Sequence, residues 1–310
     1  MLMLLLLFIL QYLIPAHAAA PTATPSGPFT TAYASYNVST MDRTDQWIDI
    51  YYPNDNTTGR RWPLLSYAHG LYGGGAVDSI AYKPLLQAMA SYGFVIVFPR
   101  SCNSGCSQRC ISLPSDPLCF GNFYEEQLKA LVWAQEQSNN ASGPAHSILL
   151  QVNHTVGYGI AGHSMGGQAT LFSSSFQNAT QHQIKAAVFH HVYTHETPSP
   201  TIPFLAFTGS TDITAPPAMT HAFFDEAAKS GLAPNRGIVV KKDADHVEPL
   251  LWNMVPRLAQ YSAAWLKIHL EQVDQQDGRD YAEMIYGTSA ESLCGGGDGT
   301  MTECVVTPRK

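Results

Sequence analysis

Short apolar runs recur along the chain at spacings that suit a sheet. Leu64–Ala68, Phe94–Phe98, Val156–Ala161, Ala186–His190, Phe204–Thr208 and Ile238–Lys241 each read as a strand. Phe94–Phe98 is apolar throughout and stops at Pro99, the pattern of a central parallel strand buried on both faces. Thr31–Ser39 and Trp47–Tyr52 read as edge strands, with a turn over Pro53–Trp62. Between the runs lie helical patterns: Tyr82–Tyr92 closed by Gly93, Tyr124–Gln137, Gln168–Phe176, Met219–Lys229 capped by Gly231, and Pro249–Leu270. Strands alternating with helices predict an α/β fold with a mostly parallel central sheet flanked by helices. There is no internal repeat and no sign of a second domain. The expected plan is one domain over residues 31–310, with a Cys-rich loop at 101–121 and a Gly-rich tail from Asp274.

One strand-to-helix junction stands out. Val156–Ala161 runs into Gly162-His163-Ser164-Met165-Gly166 and then into a helical run. G-x-S-x-G in strand–turn–helix context is a nucleophile elbow. The glycines admit a tight turn, and the turn holds the serine in a strained conformation with its hydroxyl clear of the sheet. The Met165 N–H then opens the helix, where an oxyanion would form. A serine hydroxyl is a weak nucleophile and needs a base, oriented in turn by an acid. The required chain order is serine, acid, histidine, each just after a strand. Asp212 follows the strand Phe204–Thr208, and His246 follows Ile238–Lys241. Asp243 and Asp245 are rival acids, but their closeness to His246 in sequence makes its Nδ1 awkward to reach. A second oxyanion donor is expected after Leu64–Ala68, from the Leu71 N–H with Tyr72 as fallback. His69 reads as a turn-shaping residue. His190, His191 and His195 form a histidine patch whose plainer reading is hydrogen-bonded or exposed side chains; no metal site is assigned, and no cofactor is needed.

Composition narrows the setting. The formal net charge is −7 and no basic cluster appears, which argues against nucleic acid or an anionic membrane as partner. Met1–Ile14 is almost wholly apolar, and small-x-small cleavage sites follow at Ala16–Ala18 and Ala18–Ala20. This reads as a signal peptide over 1–20, followed by a Pro/Thr/Ser-rich leader over 21–30. No Lys or Arg precedes the run. The rival reading, an uncleaved anchor, faces a run short of the roughly 20 residues a bilayer span needs. Secretion fits the cysteines, Cys102, Cys106, Cys110, Cys119, Cys294 and Cys304, an even set suited to disulfides. The first four allow three pairings, and a metal site among them would lack an interleaved His. Sequons at Asn37, Asn56, Asn140, Asn153 and Asn178 are potential glycan acceptors.

Taken together, His69-Gly70, the segment Ala90–Val97, Gly162–Gly167, Asp212-Ile213-Thr214-Ala215-Pro216 and His246 resemble the bacterial cutinases and polyester hydrolases. These include the poly(ethylene terephthalate) hydrolases, related to dienelactone hydrolases, with chlorophyllases and acetylhydrolases further off. The resemblance runs from about Trp62 to Cys304. It implies the α/β-hydrolase fold, a triad of Ser164, His246 and Asp212, and oxyanion donors at Leu71 and Met165. It places Tyr193 where the family usually has a Trp in its cleft wall, and Leu71 where it usually has an aromatic residue. It also implies a Cys294–Cys304 disulfide. The Cys102–Cys119 cluster is not part of that pattern.

Few residues separate Ala186–His190 from Phe204–Thr208, and Pro198, Pro200 and Pro203 are among them. That is the usual place for a lid, so no lid domain and an open cleft are expected. The resulting reading is a monomeric, secreted serine esterase without a stable membrane anchor, acting on ester substrates, polymeric ones included. The alternatives are an esterase on small lipidic esters, another enzyme with the same triad such as a peptidase or acyltransferase, and a non-catalytic binding protein on a hydrolase scaffold.

Overall fold

The computed structural model describes residues 26–38, 47–55, 59–70, 75–101, 117–251, 255–295 and 300–307. The strands of its central sheet are β1 (Thr31–Asn37), β2 (Trp47–Pro53), β3 (Leu64–Ala68), β4 (Val95–Pro99), β5 (Tyr158–His163), β6 (Ile184–His190), β7 (Phe204–Gly209), β8 (Arg236–Lys241) and β9 (Met301–Val306). All nine join one sheet in the order β1-β2-β4-β3-β5-β6-β7-β8-β9. Pairing is parallel from β4 through β3 and β5 to β8, and antiparallel at both margins. Every residue of β3, β4, β5 and β7 is buried, which is why these segments read as apolar runs.

The pleat sends successive side chains to opposite faces, and each face has its own core. Val95 and Val97 join Ile160, Phe189, Phe204 and Ala206 on one side. Ile96 and Phe98 join Ala161, Val188, Leu205 and Phe207 on the other. The helices around the sheet include α1 (Gly75–Ala81), α2 (Lys83–Ala90), α3 (Pro117–Asn139), α4 (Met165–Ser173), α5 (Pro217–Ser230), α6 (Val255–Leu266) and α7 (Tyr281–Tyr286), with short helical turns at His146–Leu149 and Phe176–Gln181 besides. Leu128, Leu131 and Trp133 of α3 and Phe223 of α5 cover the first face. Leu85, Leu86 and Met89 of α2 and Leu258, Tyr261 and Trp265 of α6 cover the second. Between β6 and β7, residues 191–203 hold no helix or strand.

Several boundaries differ from the sequence reading. The helix expected over Tyr82–Tyr92 is α2, Lys83–Ala90, with Pro84 in its first turn; α1 precedes it over Gly75–Ala81, where no helix was expected. The helix expected from Tyr124 begins at Pro117, so the last part of the expected Cys-rich loop, including Cys119, is helical. Cys102, Cys106 and Cys110 lie outside the described residues, as does the side chain of Cys119. The single helix expected over Pro249–Leu270 is instead a 3-10 turn at Glu248–Leu250, then α6, then a π-helical turn at Lys267–Glu271. The tail is more ordered than its glycines imply: it holds α7 and β9. Cys294 and Cys304 are disulfide-bonded, with Cα atoms 5.4 Å apart. Residues 1–25 lie outside the described residues, so the expected signal peptide does too. The expected leader is docked from residue 26: Gly27 N–H donates to Ser91 Oγ at 2.7 Å, and Phe29 packs against Trp62 at 4.7 Å.

At the β2–β4 margin a fully buried carboxylate, Asp49, is gripped by Arg100. Nε donates to Oδ2 at 2.8 Å and Nη2 to Oδ1 at 2.6 Å. Tyr33 and Ser79 hydroxyls complete the shell. Arg100→Met would leave a buried negative charge without its cation, and removing one partner of such a pair costs about 3–5 kcal/mol. Urea titration of the variant should show a loss of that size; a loss under about 1 kcal/mol would mean the pair contributes little.

Candidate active site

The elbow has the geometry its glycines demand. Ser164 sits between β5 and α4 at φ 58° and ψ −121°, a conformation rarely held by a residue with a side chain. A Cβ on Gly166 would run into the carbonyls of Ala68 and His69, and one on Gly162 would strike Gly166 O and Thr170 Oγ1. Beneath the turn, Gln127 of α3 is fully buried. Its Nε2 donates to Ala161 O at 2.9 Å and to Thr170 Oγ1 at 3.0 Å, tying helix, strand and elbow together.

The distant loops converge on Ser164. His246 Nε2 lies 2.8 Å from Ser164 Oγ, and His246 Nδ1 lies 2.9 Å from Asp212 Oδ2. The loops after β7 and β8 are laced together: Ser210 N–H donates to Lys241 O at 2.9 Å, and Thr211 Oγ1 donates to Ala244 O at 2.8 Å. Of the three candidate acids, Asp212 is the one whose carboxylate meets the imidazole. Asp245 Oδ1 instead accepts the Val247 N–H at 3.1 Å, and Asp243 donates its N–H to Ser210 Oγ at 2.9 Å. Asp212 Oδ1 accepts the N–H groups of Thr214 at 3.0 Å and Ala215 at 2.7 Å. Burial works to raise its pKa, but hydrogen bonds from His191, His246 and the Ala215 N–H outweigh it, and the carboxyl is held far below its ordinary value.

Met165 is the first residue of α4 and is buried. Its N–H stands at the positive end of that helix, beside Ser164. Leu71 and Tyr72, the expected second donor and its fallback, lie outside the described residues. Tyr193 is half-buried next to the elbow. Its N–H donates to Ser164 O at 3.1 Å, and its hydroxyl lies 3.0 Å from His195 Nε2.

Other site residues escaped the sequence reading. His163, the variable residue of the elbow, has Nε2 2.7 Å from His246 O, and its Nδ1 is hydrogen-bonded to Tyr82 Oη. The Tyr82 hydroxyl accepts the Gly70 N–H at 2.9 Å. The proton direction is fixed: Gly70 donates to Tyr82, Tyr82 to His163 Nδ1, and His163 Nε2–H to the carbonyl of His246. Burial holds the His163 ring neutral, as this relay requires. His69 is more than a turn former: buried, it lies 3.0 Å from Asp78 Oδ2 and reaches the carbonyls of Gly70 at 2.6 Å and Ser101 at 3.1 Å. The histidine patch does not converge. His190 bonds Tyr67 Oη at 3.1 Å and Ser262 Oγ at 3.0 Å, burial having pushed its pKa down to about 3, while His195 is exposed. His191 turns instead to Asp212 and Glu248, both at 3.0 Å. Among the described residues, the donor atoms of His191, Asp212 and His246 lie within 4.8 Å of one another, close enough to hold a cation. Each is already hydrogen-bonded within the group, which accounts for their convergence.

A family model described as PETase, PET hydrolase-like, matches residues 14–294. The chain belongs to the PET hydrolase-like family. Membership makes it a carboxylic ester hydrolase in the general sense, and the mixed, mostly parallel sheet flanked by helices is the fold the family implies. A comparison with curated proteins finds no match. Within this PET hydrolase-like chain, the family resemblance read from the elbow and the Asp212–Pro216 block holds. No helix among the described residues is long and apolar enough to cross a membrane.

Proposed function

We propose that this protein is a secreted, lidless serine esterase that cleaves carboxylic esters through an acyl-enzyme. The hydrogen-bonded row from Ser164 Oγ through His246 to Asp212 Oδ2 carries this reading. Ser164 Oγ attacks the ester carbonyl while His246 Nε2 takes its proton. The oxyanion accepts the Met165 N–H and, by the resemblance, that of Leu71. The intermediate collapses, the C–O bond breaks, and His246 returns the proton to the departing alcohol. Water then attacks the acyl-enzyme by the same route and releases the acid. Asp212 holds the imidazole with Nδ1–H toward itself and stabilises the imidazolium. No step calls for a cofactor or metal, and the chain is read as a monomer.

An unoccupied lid position between β6 and β7 supports an open cleft and bulky ester substrates, polyesters among them. The apolar Met1–Ile14, the cleavage sites after it and the Cys294–Cys304 disulfide support secretion. Substrate class is tested by a series of p-nitrophenyl esters of rising acyl length beside a solid polyester film, with wild type and Ser164→Ala in parallel. Release of film products by the wild type alone is expected. Hydrolysis of short esters with an untouched film would restrict the enzyme to small substrates.

A further inference from the structure

Behind Asp212 stands a second imidazole that the reaction above leaves without a task. His191 directly follows β6 at φ 46°. That left-handed conformation is uncommon outside glycine and tends to be kept where function needs it. It aims the ring beneath the triad carboxylate. Nδ1 lies 3.0 Å from Asp212 Oδ2 and Nε2 lies 3.0 Å from Glu248 Oε2. Glu248 Oε1 in turn accepts Lys241 Nζ. Gly209 leaves room for the ring, since a Cβ there would stand 3.1 Å from His191 Cε1. The side chains of His191 and Glu248 are 0% and 1% exposed, so both contacts are shielded from bulk solvent.

Carboxylates only accept hydrogen bonds, so both His191 nitrogens carry hydrogen and the ring is a buried imidazolium. Burial alone would strip that proton, but the hydrogen bonds to Asp212 and Glu248 outweigh it and raise the pKa. The groups facing the ring are Asp212, Glu248 with Lys241 behind it, the rings of His163 and His246, each 6.2 Å away, and the adjoining His190. Burial keeps His163 and His190 neutral.

Asp212 Oδ2 is therefore shared by two imidazole donors, one of them a buried imidazolium. We propose that His191, bridging Asp212 and Glu248 as an imidazolium, is a positioning residue that fixes the Asp212 carboxylate and through it the line from His246 to Ser164. The proposal rests on the triad reading above. Oδ1 of Asp212 is pinned by two backbone N–H groups and Oδ2 by His191, so the carboxylate has one orientation in which to meet His246 Nδ1. Glu248, itself held by Lys241, anchors the far side of the His191 ring.

The test is kcat and KM of the full chain on p-nitrophenyl butyrate, for wild type, His191→Leu, His191→Gln and Glu248→Gln. Leu at 191 removes the contact to Asp212, and Gln keeps a neutral donor toward it. Gln at 248 loosens the far anchor of the ring, and it serves if the variants at 191 do not fold. kcat should fall by about tenfold in His191→Leu, recover in part in His191→Gln and fall by less in Glu248→Gln, with KM unchanged. Ring ¹⁵N resonances of wild-type His191 should report both nitrogens protonated at pH 7. A singly protonated ring, or kcat values that coincide with wild type, would overturn the proposal. Failure of a fluorophosphonate to label wild-type Ser164 would overturn the triad reading and this inference with it; labelling with unchanged kcat in the variants overturns this inference alone.

Discussion

Replacing Ser164 with alanine is expected to lower kcat for ester hydrolysis by about 10⁴–10⁶ while leaving the fold in place. The hydroxyl is the only atom removed. Its partner His246 Nε2 lies at a half-buried edge where water can take its place. Alanine tolerates φ 58° no worse than serine does, because the strain comes from the Cβ that both possess. Thermal melting should thus change little, and fluorophosphonate labelling should vanish. What survives would come from the oxyanion donors and substrate binding, which act without the nucleophile. A variant retaining more than about a tenth of the wild-type rate would move the chemistry to another residue.

Asp212→Asn should cost about 10³–10⁴ in kcat, for a reason visible in the hydrogen bonds around the carboxylate. Oδ1 accepts two backbone N–H groups, from Thr214 and Ala215, so the amide oxygen of an asparagine must stay on that side. The NH₂ group is then forced into the place of Oδ2, facing two imidazole nitrogens that now donate. To avoid two donors meeting, His246 must move its hydrogen to Nε2. There it points at Ser164 Oγ as a donor and can no longer take the serine proton. Measuring kcat at alkaline pH separates this from a simple pKa effect, since raising the pH does not restore the lost tautomer. Stability should follow the linkage sign. A carboxyl with a lowered folded pKa stabilises the protein above its unfolded value, about 3.9, and loses that contribution as pH falls further. The gap in melting temperature between wild type and Asp212→Asn should therefore narrow below pH 4. A gap that widens there would mean that the carboxylate is not held ionised in the fold.

The central sheet was legible because its strands are buried on both faces, and such segments announce themselves as apolar runs. The positions of Ser164, Asp212 and His246 followed, since each sits just past one of those runs. The margins were harder. β9 pairs with β8 across more than fifty residues of chain, and nothing local in Met301–Val306 marks that partner. The start of α3 had a usable signal in Pro117, a residue suited to a first helical turn, but the neighbouring cysteines invited a loop reading. His191 was noticed only as one of three histidines. Its two carboxylate partners come from other loops, and a turn at φ 46° is not written in the residue type. His163 was hidden in plain view within the elbow motif. Its job depends on Tyr82, which was expected to open a helix and instead lies at the junction of α1 and α2.

The antiparallel strand at the carboxyl-terminal margin bears on how the enzyme could be fastened to a support. β9 lies along β8, and Lys242 N–H, four residues before His246, donates to Thr300 O at 2.7 Å. Any pull transmitted through the chain end would act on the strand that delivers His246. A tether entering ahead of β1 loads the opposite rim of the sheet, with the intervening strands as a buffer, and is the attachment side that leaves the His246 loop undisturbed.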